Sequence, residues 1–187
     1  MKHVLITAVL SMSLLQAMHA SALQATNPAV NPEAKVLADF KTRIDGYVDL
    51  RKKADSGAPT LKQTDDPAKI EMAQEALAKR IMTTRAQAKR GDIFTPEITL
   101  RFRRLLRPEL KDPDTKQLIQ EDNPGNVKFK VNGPYPDAEP LSTVPPNVLA
   151  SLPQLPPDLE YRFVGKHMIL RDSRANLVVD YIANAIA

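Results

Sequence analysis

The sequence contains no cysteine. That excludes a disulfide framework, a cysteine nucleophile and a lipid anchor attached through a cysteine. Metal sites built on thiolates go with it. Tryptophan is absent and aromatics are only 5% of the residues, which speaks against a cleft that stacks sugars. Two of the three histidines, His3 and His19, sit at the N-terminus, so His167 is the one imidazole beyond it. A Ser-His-Asp triad would have to use His167, and no spacing pairs it with a nucleophile. At the start of a predicted strand beside a hairpin turn, it reads as an ordinary exposed residue. The 6 glycines are too scattered for a phosphate-cradling loop. The one long apolar run, from Val4 to Met18, is shorter than the roughly 20 residues a membrane-crossing helix needs.

That run has the form of an export signal. Lys2 and His3 make a basic head, the apolar stretch follows, and Ala20-Ser21-Ala22 supplies small residues around a cleavage point. We read residues 1–22 as a signal peptide cut after Ala22, with Ala20 and Ala22 as the cleavage determinants. The chain from Leu23 then has no transmembrane segment and is expected in the periplasm or outside the cell. The remainder fits one domain, with a helical region over 23–122 and a proline-rich strap and β-meander over 123–187 packed on it.

Charge is unevenly placed. Residues 23–66 carry 7 basic and 7 acidic side chains, residues 67–111 carry 11 and 5, and residues 112–187 carry 7 and 10. A basic middle facing an acidic end fits either an anionic partner or attraction between the two parts.

Helical spacing dominates the first part. Leu37, Phe40, Ile44, Tyr47 and Val48 recur at three and four residues between Glu33 and Ala54. Asp39 to Arg43 and Asp49 to Lys53 are favourable i,i+4 pairs. A second helix is expected after Asp65-Asp66-Pro67, an N-cap followed by a first-turn proline. Its stripe is Ile70, Ala73, Leu77, Ile81, Thr84 and Ala88, closed by Gly91. A third follows Thr95-Pro96-Glu97, with Ile98, Phe102, Leu105 and Leu106 on one side and Arg101, Arg103, Arg104 and Arg107 on the other. Pro108 should end or kink it. Asp112-Pro113 starts a short fourth helix reaching Glu121.

The pattern then changes. Val127, Phe129 and Val131 alternate with Lys128, Lys130 and Asn132, which predicts a half-buried strand. Residues 134–157 hold 8 of the 16 prolines. That density forbids long helices and central strands and predicts an extended strap, with one helical turn near 146–151. The P-x-x-P spacing in Leu152–Pro157 fits the strap as well as a docking peptide. In 159–182, Leu159, Tyr161 and Phe163 alternate, Gly165-Lys166 forms a two-residue turn, and 167–171 returns. Asp172 to Asn176 turns again, and Leu177, Val179 and Tyr181 alternate with Val178, Asp180 and Ile182. The fold class predicted is therefore α+β: N-terminal antiparallel helices, a proline-rich strap and a C-terminal three- to four-stranded antiparallel β-meander.

The candidate site is the arginine face of the third helix, Arg101, Arg103, Arg104 and Arg107. With Lys79, Arg80, Arg85, Lys89 and Arg90 it would bind anionic lipid, phosphate or polymer, although the same pattern describes any solvated helix face. Nucleic acid is disfavoured by export and by few stacking aromatics. The oxygen-rich pairs Asp112/Asp114 and Glu121/Asp122 do not follow a calcium-loop pattern, and no metal or other cofactor is expected. Twenty-two acidic residues always offer some pair suited to hydrolysis, but no spacing singles one out.

Blocks of the sequence resemble a group of small secreted bacterial proteins of uncharacterised function. They are GDIFTPEITLRFRRLL at 91–106, VNGPYPDAEPLSTVPP at 131–146 and LPQLPPDLEYRFVGKHMILRDSRANLVVDYIANAI at 152–186, together with the signal peptide. That group usually ends in AIP where this chain ends Ala185-Ile186-Ala187. The resemblance implies export and brings no activity, cofactor or catalytic residue with it. The reading is of an exported, non-enzymatic interaction or accessory protein of the cell envelope. An anion-binding module is the alternative, and a carboxylate-dependent hydrolase is a third reading.

Overall fold

Among the described residues, every helix begins on a proline. In the computed structural model, residues 31–57, 64–125, 127–136 and 138–186 are described. The helices are α1 Pro32–Ser56, α2 Pro67–Thr84, α3 Pro96–Glu109, α4 Pro113–Glu121 and α5 Pro146–Ser151. A proline at the first helical position sacrifices only an N–H that no helix can bond. The residue before it accepts from the first turn in four cases: Asn31, Asp66, Thr95 and Asp112. Four helices precede the first strand, the short fourth included, and the fold is α+β as the sequence predicts.

The strands are β1 Gly133–Pro134, β2 Leu159–Val164, β3 His167–Asp172 and β4 Leu177–Ile182, in the sheet order β1-β4-β3-β2, antiparallel throughout. Gly165 has φ +56 while Lys166 keeps the ordinary sign, as a two-residue turn led by glycine requires. Asn176 takes φ +47, the left-handed conformation asparagine tolerates.

One sheet face carries the main core. Leu159, Tyr161, Phe163, Met168, Leu170, Leu177 and Ile182 meet Phe40, Ile44, Tyr47 and Val48 of α1, Leu77 and Ile81 of α2, and Ile98, Phe102 and Leu106 of α3. Phe40, Phe94 and Phe102 lie with ring centroids 4.9 to 5.9 Å apart, and Tyr161 adds a fourth ring at 5.9 Å from Phe102. The α5 turn of the strap packs on α3 and buries Val148. The opposite sheet face is covered by irregular chain: Tyr135, with Val127 and Phe129, packs on Val164, Ile169 and Val178.

Four expectations are corrected. Residues 127–132 form no strand; only Gly133 and Pro134 pair with β4. The reason lies on β4, whose edge is already occupied. Arg85 takes the Val179 carbonyl at 3.3 and 3.4 Å, and Asn132, at φ +58, turns the chain. Helix α2 stops at Thr84 and Gly91 lies beyond it in a turn at φ +93. The β4 alternation is broken by a bulge. Leu170 faces Asp180 and Arg171 faces Val178, so Val179 is the extra residue. Tyr181 consequently joins Val178 on the outer face, while Val179 stays with the main core. Pro108 lies in the last turn of α3, which ends one residue past it at Glu109, close to where a proline should end it. Asp39 pairs with Arg43 at 3.0 Å as expected, whereas Asp49 meets Lys52 at 3.9 Å rather than Lys53.

Candidate functional site

The arginine face of α3 is divided between internal and external work. Arg101 pairs with Glu33 of α1 at 2.7 Å and is 20% exposed. Arg103 donates to the Ala183 carbonyl at 2.7 Å, holding the chain after β4 against α3. Arg104 lies 3.7 Å from the same Glu33 and is mostly exposed. Arg107 is exposed in the last turn, where the helix dipole favours a cation, and has no ion pair among the described residues. Arg103, Arg104 and Arg107 are all exposed, but Arg103 is engaged with Ala183, so the uncommitted part of the predicted face is Arg104 and Arg107, beside the exposed Leu100.

The basic residues around α2 divide in the same way. Arg80 donates to the Ala54 carbonyl at 2.8 Å and Arg85 to the Val179 carbonyl. Burial pushes the Arg85 guanidinium below its ordinary range, against the pull of Tyr47, Asp92 and Asp180. Lys79, Lys89 and Arg90 remain exposed.

Two buried carboxylates were not legible as important. Asp180 points from β4 into the helical side and accepts from the backbone N–H groups of Gly91, Ile93, Phe94 and Tyr181 at 2.8 to 3.1 Å. It fastens the α2–α3 loop to the sheet. Asp172 accepts the Tyr47 hydroxyl at 2.8 Å, the Ala175 N–H at 3.0 Å and Arg51 at 3.4 Å. Both carboxylates are 0% exposed. A signal for Arg51 did exist: it stands four residues after Tyr47 on the buried stripe of α1, an odd place for a cation without a partner.

The remaining candidates have structural duties. Asp112 caps α4, and the Thr115 hydroxyl holds its carboxyl below the usual carboxylate range. Asp122 accepts from Thr143 at 2.7 Å and Glu121 from Gln117 at 3.2 Å. No group of three metal-ligating side chains forms among the described residues. On the outer sheet face Glu160 meets Arg162 and Arg171, each at 2.6 Å. Burial raises the Glu160 carboxyl, but the hydrogen bonds from both arginines outweigh it and leave the group below its ordinary value. His167 is half-buried rather than exposed: its Nδ1 accepts from the Asn184 N–H at 3.2 Å. Ala20 and Ala22 lie outside the described residues.

The surface that stands out is on α2. Its first turns protrude, with Ile70 46% and Met72 60% exposed. Ile70 was expected on the buried stripe, but burial starts only at Leu77. Beside them runs a groove of about 720 Å³ between α2 and the β1 edge of the sheet. Ala78, Met82, Pro134 and Ala175 give it apolar lining, and Glu71, Glu75 and Lys79 add charge. No helix among the described residues is long and apolar enough to cross a membrane. No family model, curated protein or solved structure matches the chain.

Proposed function

We propose that the protein is an exported accessory protein of the cell envelope that holds a partner polypeptide along α2. The observation that carries this reading is the partly apolar groove along α2, flanked in the first turns of that capped helix by Ile70 on one side and Met72 on the other, both apolar and left in solvent. Apolar groups that the fold leaves uncovered next to a groove suit a protein contact. Export rests on the first 22 residues and on the resemblance to small secreted proteins. The proposal names no reaction: the buried carboxylates Asp172 and Asp180 are engaged in holding the fold.

The test is cross-linking of C-terminally tagged protein in its own host, with the captured chain sequenced and the bait's own N-terminus determined. The reading expects an N-terminus at Leu23. It also expects one partner protein that survives high salt and is lost from Ile70→Glu/Met72→Glu. Capture unchanged by that pair of substitutions would overturn the α2 surface, and a retained Met1 would overturn export. A second reading is favoured by Arg104 and Arg107, which face outward beside Leu100. In that case anionic lipid or polymer is recovered, its capture falls steeply with salt, and Arg104→Glu/Arg107→Glu abolishes it.

A further inference from the structure

A second concave site lies on the outer face of the sheet, away from α2. It is a pocket of about 580 Å³ between the β2–β3 turn, the chain at 125–129 and the residues after β4. Three aromatic rings line it, each edge-on to the other two. Phe129 and Tyr181 are 5.1 Å apart between centroids, His167 and Tyr181 5.7 Å, and Phe129 and His167 5.9 Å. Each of the three is half-buried, so the rings are not sealed into the core.

The charge there is of one sign. Lys128 and Lys166 line the pocket, and among the described residues no acidic side chain does. Arg90 sits over the Tyr181 ring at 5.6 Å and adds a third cation. Because His167 Nδ1 accepts from Asn184, the neutral imidazole carries its proton on Nε2 and is a donor there. The walls are fixed. Asn123 accepts from the Gly165 N–H at 2.6 Å and donates to the Gly165 carbonyl at 2.8 Å. Gly165 comes so near the Gly125 carbonyl that an added Cβ would lie 2.7 Å from its oxygen. The turn and the facing loop are thereby locked together.

We propose that this pocket binds a small ligand made of an aromatic ring bearing a phosphate or carboxylate. The ring packs against Phe129, His167 and Tyr181, as aromatic groups do edge to face. The anion is held by the charge-assisted donors Lys128 and Lys166 and by the neutral imidazole Nε2–H. The sequence concealed this because its contributors come from four separate stretches, and Val127 to Phe129 read as a strand instead.

The test is an NMR titration of chain 23–187, which includes every described residue and in which His167 is the single histidine. Phenyl phosphate and benzoate are the probes, with phenol and inorganic phosphate as halves of the ligand. The His167 ring signal is expected to shift saturably with phenyl phosphate or benzoate, at a Kd of about 1 mM, the range open to so small a ligand. Which of the two binds more tightly identifies the anion. Phenol and inorganic phosphate should each bind at least about tenfold more weakly, the equivalent of about 1.4 kcal/mol. Phe129→Leu and Lys128→Glu/Lys166→Glu should each weaken the better probe by a similar factor. Raising salt on the unaltered chain should weaken it as well, and this measurement stands even if a variant does not fold. The proposal is overturned if the His167 signal is unmoved at about 10 mM of either probe. It is equally overturned if inorganic phosphate binds as well as phenyl phosphate, or if salt leaves the affinity unchanged.

Discussion

Tyr47, Arg51 and Asp172 show what a few side chains decide. Tyr47 reaches across to the end of β3, and its hydroxyl donates to a carboxylate 125 positions along the chain. Arg51 shares that carboxylate and also donates to the Pro157 carbonyl at 3.2 Å. A buried ion pair of this kind gains little over a well-packed apolar pair, but removing one member leaves an uncompensated charge. Asp172 was legible as a turn residue, and its bond to the Ala175 N–H bears that out. Its second oxygen was not legible, since nothing local points to α1. Burial first, and then the neighbouring Asp172 charge, push the Tyr47 hydroxyl well above its ordinary range. Tyr161 is raised too, by burial alone. The unfolded chain therefore releases these protons near pH 10 while the folded chain keeps them. Stability is unaffected below that pH and falls as pH rises beyond it. Urea midpoints measured from pH 7 to 11 should show a plateau and then a decline. In Tyr47→Phe, stability at pH 7 drops by about 1–3 kcal/mol, because Asp172 loses a donor. The alkaline decline becomes shallower but persists through Tyr161. Identical declines in both proteins would disprove the role given to Tyr47.

Whole elements were legible where the signal is local. Proline after a capping residue marked α2, α3 and α4 at their starts, because both residues act within one turn. The β2–β3 hairpin was readable from Gly165 and the flanking alternation for the same reason. What failed depended on distant partners. Alternation at 127–131 says only that one side is apolar; whether it becomes a strand depends on a free edge, and Arg85 and Asn132 had taken the one on β4. The bulge at Val179 was hidden because Leu177–Ile182 is apolar almost throughout, so a slip in phase leaves little trace. The candidate site fared similarly. The arginine stripe of α3 was visible, but its division into Arg101 and Arg103, engaged with Glu33 and Ala183, and the more loosely held Arg104 and Arg107 depends on those distant partners. Asp180 gathers three backbone N–H groups of the α2–α3 loop, Gly91, Ile93 and Phe94, and it yields a sharp expectation. Asp180→Asn replaces one accepting oxygen by a donor facing N–H groups. It should cost about 3 kcal/mol. Hydrogen exchange at Gly91, Ile93 and Phe94 should quicken more than at the centre of β3. Uniform acceleration across the chain would mean that the loop is held by something else.

At the scale of the molecule, the unit of stability is the contact between helices and sheet rather than either layer alone. Three sequential strands, with a two-residue fourth, have an apolar face that water would not tolerate, and α1 supplies Phe40, Ile44 and Tyr47 to cover it. Conversely α3 has its buried side, Ile98, Phe102 and Leu106, in the same cluster as Phe163 and Leu170. Phe102 sits at the junction, 0% exposed and within 6 Å of Phe40, Phe94 and Tyr161. The proline strap adds Val144, Val148 and Leu152 to that cluster, so it is a wall of the core and not a tether. Helices and sheet should accordingly unfold together. Calorimetry should give a single transition whose heat is about 0.7 kcal/mol per ordered residue near 60 °C. Helical ellipticity and near-ultraviolet tyrosine signals should change at one midpoint. Phe102→Ala should lower that midpoint for both signals at once, by the equivalent of about 3–5 kcal/mol. If the helical signal instead melts first while the tyrosine signal stays, the helical region and the meander are separate units, and the shared core does not make them one.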